Sequence, residues 1–364
     1  MDLVDRTRRL MLAAGLSAGL AAAAWTAPAQ AQEKVVMGLP SAWNVQFSYP
    51  VFGEKLGFFR EEGIELERVA VTGSAVLIPQ IAAGQVQFGY ANPDLMIIAL
   101  ARGEPLPLRF FMNWLRTQTF EFVVLENSPV RTLADLKGRK LGVGALTWGN
   151  LPLSRAMLAS QGVTWQRDVE VLPVGLGAAA WRRLQTGEVD ALNLFVGEHE
   201  RMAIAGVPFR RVPMPDPFGA FFSNGWVTSE DMIARRPQVV EGFGRALVKS
   251  WIACRANPEA CVRAWWEANP TARPAAGQEA QQLATDLRLV GVDHRQVEAF
   301  PAGGPRVWGQ FPEGSWKQLI DVMHAEGQIP RADLDASRLF TDAFLQGVNR
   351  IDAAAVEAAA RAAR

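Results

Sequence analysis

Histidine and cysteine are scarce in this 364-residue chain, with three of the first and two of the second. That supply nearly excludes zinc fingers, iron–sulfur clusters and His-rich metal centres, and leaves all-carboxylate coordination as the remaining route to a metal. An excess of one charge is missing too, since Lys plus Arg and Asp plus Glu each number 37. A nucleic-acid or anionic-membrane binder would carry a basic surplus or a clustered basic face, so neither partner is expected. The apolar run at residues 10–24 is about 15 residues, short of the ~20 that a spanning helix needs. What is present is globular in character, with 49% hydrophobic and 20% charged residues. A single core stops growing near ~250–300 residues, so two lobes are expected.

The N-terminus reads as a targeting segment. Arg6, Arg8 and Arg9 precede the apolar run, and Ala29-Gln30-Ala31 offers a small-x-small cleavage site before Gln32. Residues 1–31 are therefore read as a cleavable secretory signal, routed by Sec or, given Arg8-Arg9, by the twin-arginine path. No cysteine follows the run to accept a lipid, so the mature protein is expected to be soluble in the periplasm, and a monomer is the expected state.

From Lys34 onward, short β-branched or aromatic runs alternate with helical stretches, the mark of parallel α/β architecture. Strands are predicted at residues 35–39, 64–71 and 86–91, with helices at 49–62, from 74 to about 84, and from 94 to 101. Residues 106–126 read as two strands interrupted near 116–119, carrying the chain from one lobe into another. The alternation repeats with a short helix at 133–137, strands at 140–145, 169–174, 189–195 and 209–212, and helices at 151–161, 178–186 and 198–205. Residues 221–228 read as a strand returning to the first lobe. The rest is predicted helical, at 237–256, 258–267 and 275–290, and the Ala-rich 353–364 stretch is expected to fray. The lobes are thus expected at 32–118 with 228–364, and at 119–227.

Motifs for catalysis are weak. The Gly15-Leu16-Ser17-Ala18-Gly19 match to a serine-hydrolase elbow falls within the signal segment. Gly175-Leu176-Gly177 follows a strand and opens a helix, but no acidic residue stands about 20 positions on to hold a ribose, so it reads as a strand–helix turn. His199, His294 and His324 have no nucleophile partner, and Glu198 and Glu200 project in different directions from a helix. Neither a cofactor nor a metal is implied.

The turns at strand ends are more informative, because open α/β sheets bind ligands there. Gly73-Ser74, Asn92, and Thr147-Trp148-Gly149-Asn150 combine free helix amides with hydroxyl and amide side chains, which suits a polar ring edge or an anion; ordinary helix capping is the alternative. Among the chain's 12 Trp, Trp43 and Trp148 fall in such loops and can clamp a planar ligand or simply pack. Trp43, Asn44, Gly73, Ser74, Asn92, Thr147, Trp148 and Asn150 form the candidate ligand set, and none of their loops holds Lys or Arg. Asp94 and Glu198 are added as acceptors for a ligand amine, or else as helix caps. Cys254 and Cys261 are seven apart, beyond the ~7 Å bridging limit in an unbroken helix, but Asn257-Pro258 breaks the helix between them and lets a disulfide close in an oxidising compartment.

The ordered series Glu54-Lys55-Leu56-Gly57-Phe58-Phe59, Gly63-Ile64-Glu65, Gly73-Ser74, Gly84-Gln85-Val86, Leu133-Ala134-Asp135-Leu136-Lys137-Gly138, Gly187-Glu188-Val189-Asp190-Ala191 and Asn257-Pro258-Glu259 resembles solute-binding proteins of ABC transporters, in the nitrate, sulfonate, taurine and thiamine-pyrimidine-precursor group. The resemblance implies a two-lobed α/β periplasmic-binding-protein-like fold of type 2, with two crossing strands, closing on a small solute for a membrane permease. It implies binding without turnover. A related eukaryotic branch of pyrimidine synthases carries a cysteine-rich run that this chain lacks, and a periplasmic sensor feeding a kinase is the alternative role. The loop after the first strand, Ser41-Ala42-Trp43-Asn44-Val45-Gln46-Phe47-Ser48, differs from that of a dedicated sulfonate or nitrate binder, so a small organic solute is expected.

Overall fold

Two five-stranded sheets built on one plan organise the residues that the computed structural model describes, 32–363. The signal-segment expectation lies outside the described residues. Contacts divide the chain between Glu33 and Lys34, and both sheets, apart from Glu33 at the start of the first strand, belong to the second unit. The first sheet uses β1 (Glu33–Leu39), β2 (Ile64–Ala70), β3 (Phe88–Ala91), β4 (Leu108–Asn113) and β10 (Gly225–Ser229), in the order β2-β1-β3-β10-β4. The second uses β5 (Phe120–Leu125), β6 (Arg139–Val143), β7 (Val169–Pro173), β8 (Ala191–Phe195) and β9 (Phe209–Val212), in the order β7-β6-β8-β5-β9. In each sheet the fourth strand in space is the one that has just crossed from the other half. β10 runs antiparallel to β3 and β4, and β5 antiparallel to β8 and β9, whereas β1–β3 and β6–β8 are parallel.

The crossings, residues 114–119 and 213–224, hydrogen-bond to each other. Leu115 N donates to Asn224 O at 2.9 Å and Ser223 N to Leu115 O at 2.9 Å. A C-terminal segment straps over them: Arg116 donates from its backbone to Gln296 O (2.8 Å), from Nε to Ala299 O (3.1 Å) and from Nη1 to Gln310 O (2.6 Å), with Phe300 beneath its guanidinium.

Local sequence explains how closely the layers approach. Gly38 on β1 and Gly89 on β3 are register neighbours, and a Cβ on either would meet Leu77 or Ile81 of helix Ser74–Ala82 at 2.6 and 2.3 Å. Two bare positions let that helix settle on the sheet and fix where its N-terminus points. The other face of the first sheet packs Phe88, Phe111 and Trp226 against Phe243 of helix Pro237–Ala256. A second apolar cluster runs continuously from Leu77, Ile81 and Met96 into the buried strands of the second sheet.

Some expectations need correction. The helix expected at 49–62 is two, Ser48–Lys55 and Phe58–Glu61, because Gly57 adopts φ +84 between them. The return strand begins at Gly225, after a short 3-10 turn at Phe218–Ala220, and the expected helix at 133–137 is also a 3-10 turn, Leu133–Leu136, held by a Thr132/Asp135 capping box. The Ala-rich C-terminus does not fray: Asp352 accepts Ala355 N at the N-cap of helix Ala353–Ala362, and Val356 and Ala360 are buried.

Cys254 and Cys261 are joined, with 2.08 Å between sulfurs and 5.2 Å between Cα atoms. Asn257 ends helix Pro237–Ala256 and caps Pro258–Ala268, its side chain accepting Ala260 N at 3.1 Å. Closing so short a loop stabilises by about 2 kcal/mol. Reductant should therefore lower the unfolding free energy read from a denaturant titration by that amount, and two thiols titrating in denatured, unreduced protein would contradict the bond.

Candidate functional site

A cavity of about 60 Å³ lies between the two sheets, with walls drawn from loops at strand ends of both. From the first half come Gln46 and Phe47 of the short turn Val45–Phe47, Gly73 and Ser74 at the start of helix Ser74–Ala82, and Tyr90 and Asn92 at the end of β3. The second half supplies Thr119 and Phe120 before β5, Trp148 and Gly149, and Phe195 closing β8. Leu115 and Asn224 reach in from the crossings, and Asp293 from the strap. The aromatic part is rigid. Trp148 is buried against the bare backbone of Gly144, where a Cβ would lie 2.0 Å from its ring, and it packs on Phe120 (5.8 Å) and Phe195 (6.0 Å).

The halves are in contact along a seam beside the cavity. Ala75 N donates to Thr147 O at 3.1 Å, and Thr147 Oγ1 to Thr72 O at 2.6 Å. Gly73, at φ +95 and ψ 156, lets Thr147 approach: a Cβ there would stand 2.3 Å from the Thr147 carbonyl oxygen. The Asn92 side chain, oriented with its nitrogen toward Gly149, donates to that carbonyl at 3.2 Å. Asp94 is fully buried and accepts Leu153 N at 2.8 Å, so it caps helix Leu151–Ala159 of the opposite half. Burial pushes the Asp94 carboxyl up to about 7, against the lowering effect of Leu153 N–H and its own backbone N–H. A surface cap was the simpler expectation for this residue, and its burial corrects it.

At the other end of the cleft, Arg201 of helix Val196–Ile204 donates to Asn44 Oδ1 at 3.0 Å and to Gln46 Oε1 at 3.5 Å. Gln46 Nε2 in turn donates to Asp293 Oδ2 at 3.2 Å. Burial raises the Asp293 carboxyl to about 6, although Gln46 and Arg201 oppose the rise. The Tyr49 and Tyr90 hydroxyls are pushed well above their ordinary range by burial first and the Asp293 charge second.

Of the expected ligand set, Gly73, Ser74, Asn92 and Trp148 lie on the cavity wall. Trp43 turns away, its indole N–H donating to Val69 O at 3.0 Å while its ring supports Phe47 at 5.9 Å. Asn44 caps the turn and receives Arg201. Thr147 belongs to the seam, and Asn150 is buried behind it, donating to Ser154 Oγ (3.2 Å) and Asn193 Oδ1 (3.3 Å). Glu198 accepts Gly177 N at 2.8 Å and pairs with Arg201 at 3.2 Å, which uses up both the acid and the glycine-rich turn. Sequence reasoning missed Gln46, Tyr90, Phe120, Phe195, Asn224 and Asp293. Phe195 and Tyr90 carried a usable signal, since both close strands at the ligand-facing end of a sheet. Buried His199 is held by Glu121 at 2.9 Å, an acid that also pairs with Arg211. Among the described residues no three His, Cys, Asp or Glu side chains converge as metal ligands, and no helix is long and apolar enough to cross a membrane.

Comparison with known proteins agrees with this geometry. The chain is similar to a riboflavin-binding protein of Chloroflexus aurantiacus, 25% identical over 86% of this chain and 87% of that one. It is similar also to a taurine-binding periplasmic protein of Escherichia coli, 22% identical over 79% of this chain and 86% of the relative. Its fold matches that of an alkanesulfonate-binding protein from Xanthomonas axonopodis solved with MOPS, with a TM-score of 0.61, 17% identity, and coverage of 85% of this chain and 100% of that structure. The fold is therefore the two-lobed α/β arrangement of periplasmic binding proteins, and these relatives are binding proteins and not enzymes. The family model described as NMT1/THI5 like matches residues 44–261, and with the cavity set between two crossed-over sheets, the chain belongs to that family.

Proposed function

We propose that this chain is the solute-binding component of an ABC importer, working in the periplasm and presenting a small planar organic solute to a membrane permease. The lobes would be 32–118 with 228–364, and 119–227, save that residues 225–227 go with β10 to the first lobe. One observation carries the ligand class: the cavity wall holds five aromatic rings, Phe47, Tyr90, Phe120, Trp148 and Phe195, with hydroxyl and amide groups between them and no Lys or Arg. A sulfonate or nitrate would have only helix-end amides for its charge, whereas a ring would meet apolar faces and edge-on polar partners. Contacts from both halves support a state in which bound solute favours closure and the permease reads closure.

Mass spectrometry of small molecules released from purified native protein should return a planar organic compound. A recovered aliphatic sulfonate would overturn the ligand class. With that compound in hand, Trp148→Ala should weaken binding by about 1–3 kcal/mol, ~5- to 150-fold, by calorimetry. Unchanged affinity would mean the ring only packs.

A further inference from the structure

Asp293 is the one charged side chain on the cavity wall among the described residues. It arrives on the strap rather than on either sheet. Its Oδ2 accepts Gln46 Nε2, and its Oδ1 accepts no hydrogen bond from the described residues. The cation nearest in the network, Arg201, is already paired with Glu198 at 3.2 Å. Arg201 is thus shared among Glu198, Asp286 and Asp293, and of these acids Asp293 is the one on the cavity wall. A half-buried carboxylate facing aromatic walls is costly unless a positive charge offsets it, and the wall offers it the Gln46 amide but no Lys or Arg. Gln46 is also placed to transmit occupancy. Its nitrogen holds Asp293 while its oxygen faces Arg201 of the opposite half, and the bare backbone of Gly197 makes room, since a Cβ there would lie 2.3 Å from the Gln46 amide.

We propose that Asp293 selects a solute carrying a positively charged N–H donor on a planar group, of amidinium or protonated-amine type, and that Gln46 couples this contact to Arg201 across the cleft. The proposal rests on the cavity being the solute site. Flat, charge-assisted N–H donors to a carboxylate are strong and directional, which is what a selecting contact requires.

Benzamidine, benzamide and benzoate share one ring with a positive, neutral or negative head, and their binding can be followed by ligand-detected NMR at millimolar concentration. At pH 8, benzamidine should bind about tenfold tighter than benzamide, with benzoate weakest. Asp293→Asn keeps the shape and the Gln46 contact, and should erase the benzamidine preference by lowering benzamidine affinity about tenfold. Acidification to pH 5 should erode the same preference in the unaltered protein only. Tyr49, Tyr90 and Arg201, the other ionisable groups whose charge reaches Asp293, and the neighbouring His294, lowered to about 4 by burial, are common to both proteins and so are controlled by the variant. Equal binding of benzamidine and benzamide, or a preference that survives Asp293→Asn, overturns the charge selection. If Trp148→Ala then still abolishes binding of both, the cavity reading stands and only the role of Asp293 falls.

Discussion

Gly73→Ala is expected to cost at least ~100-fold in solute affinity, about 3 kcal/mol, by preventing the two halves from meeting. The added Cβ would stand 2.3 Å from Thr147 O and 2.5 Å from Thr147 C, and backbone atoms of a neighbouring loop cannot rotate aside as a side chain can. The residue also sits at φ +95 and ψ 156, a conformation that side chains avoid. Gly63→Ala separates these two costs, because Gly63 has a positive φ of +70 but nothing within 4 Å of its Cβ. Both variants should lose comparable stability, and only Gly73→Ala should lose affinity in calorimetry with the released solute. Native affinity in Gly73→Ala would show that the seam is not needed for binding.

The second large effect concerns Asp94 and pH. An acid raised to about 7 in the folded chain and ordinary in the unfolded one binds its proton more tightly when folded. Its contribution to stability is therefore fully present below about pH 4 and is lost as pH rises toward and through 7. The full swing is up to about 4 kcal/mol. Asp94→Asn removes the charge and still offers an oxygen to Leu153 N. The variant should match the unaltered protein near pH 4, and should exceed it by several kcal/mol in denaturant unfolding at pH 8. A constant difference across that range would mean that Asp94 titrates normally.

The alternation of strands and helices is legible in the sequence because β-branched runs, terminal glycines and the Pro-rich break all act locally. The crossing near Arg116 is legible for the same reason, since the aromatic strand pair there exceeds the length of one strand. Which way a loop side chain faces is not a local property. Trp43 and Trp148 both follow a strand, yet Trp43 is turned outward by one hydrogen bond to β2, and Trp148 is pinned inward by Gly144. Asp293 lies 247 positions from Gln46, and only the strap over the crossings brings the two together. Gly57 divides a helix that its flanking apolar pattern would have continued, because its left-handed backbone overrides the period.

The order of the strands also sets an order of events in time. The second sheet is made entirely from the contiguous stretch Phe120–Val212, so it has everything it needs once that stretch exists. The first sheet cannot close: β10 belongs between β3 and β4, and until Gly225–Ser229 is in place those two strands have unpaired edges facing a gap. Long-range pairing of this kind is slow, because a large loop must be drawn in before any contact rewards it. The half that emerges first is therefore the half that matures last, and during that interval its hydrophobic strands are the part of the nascent chain most in need of protection from other chains.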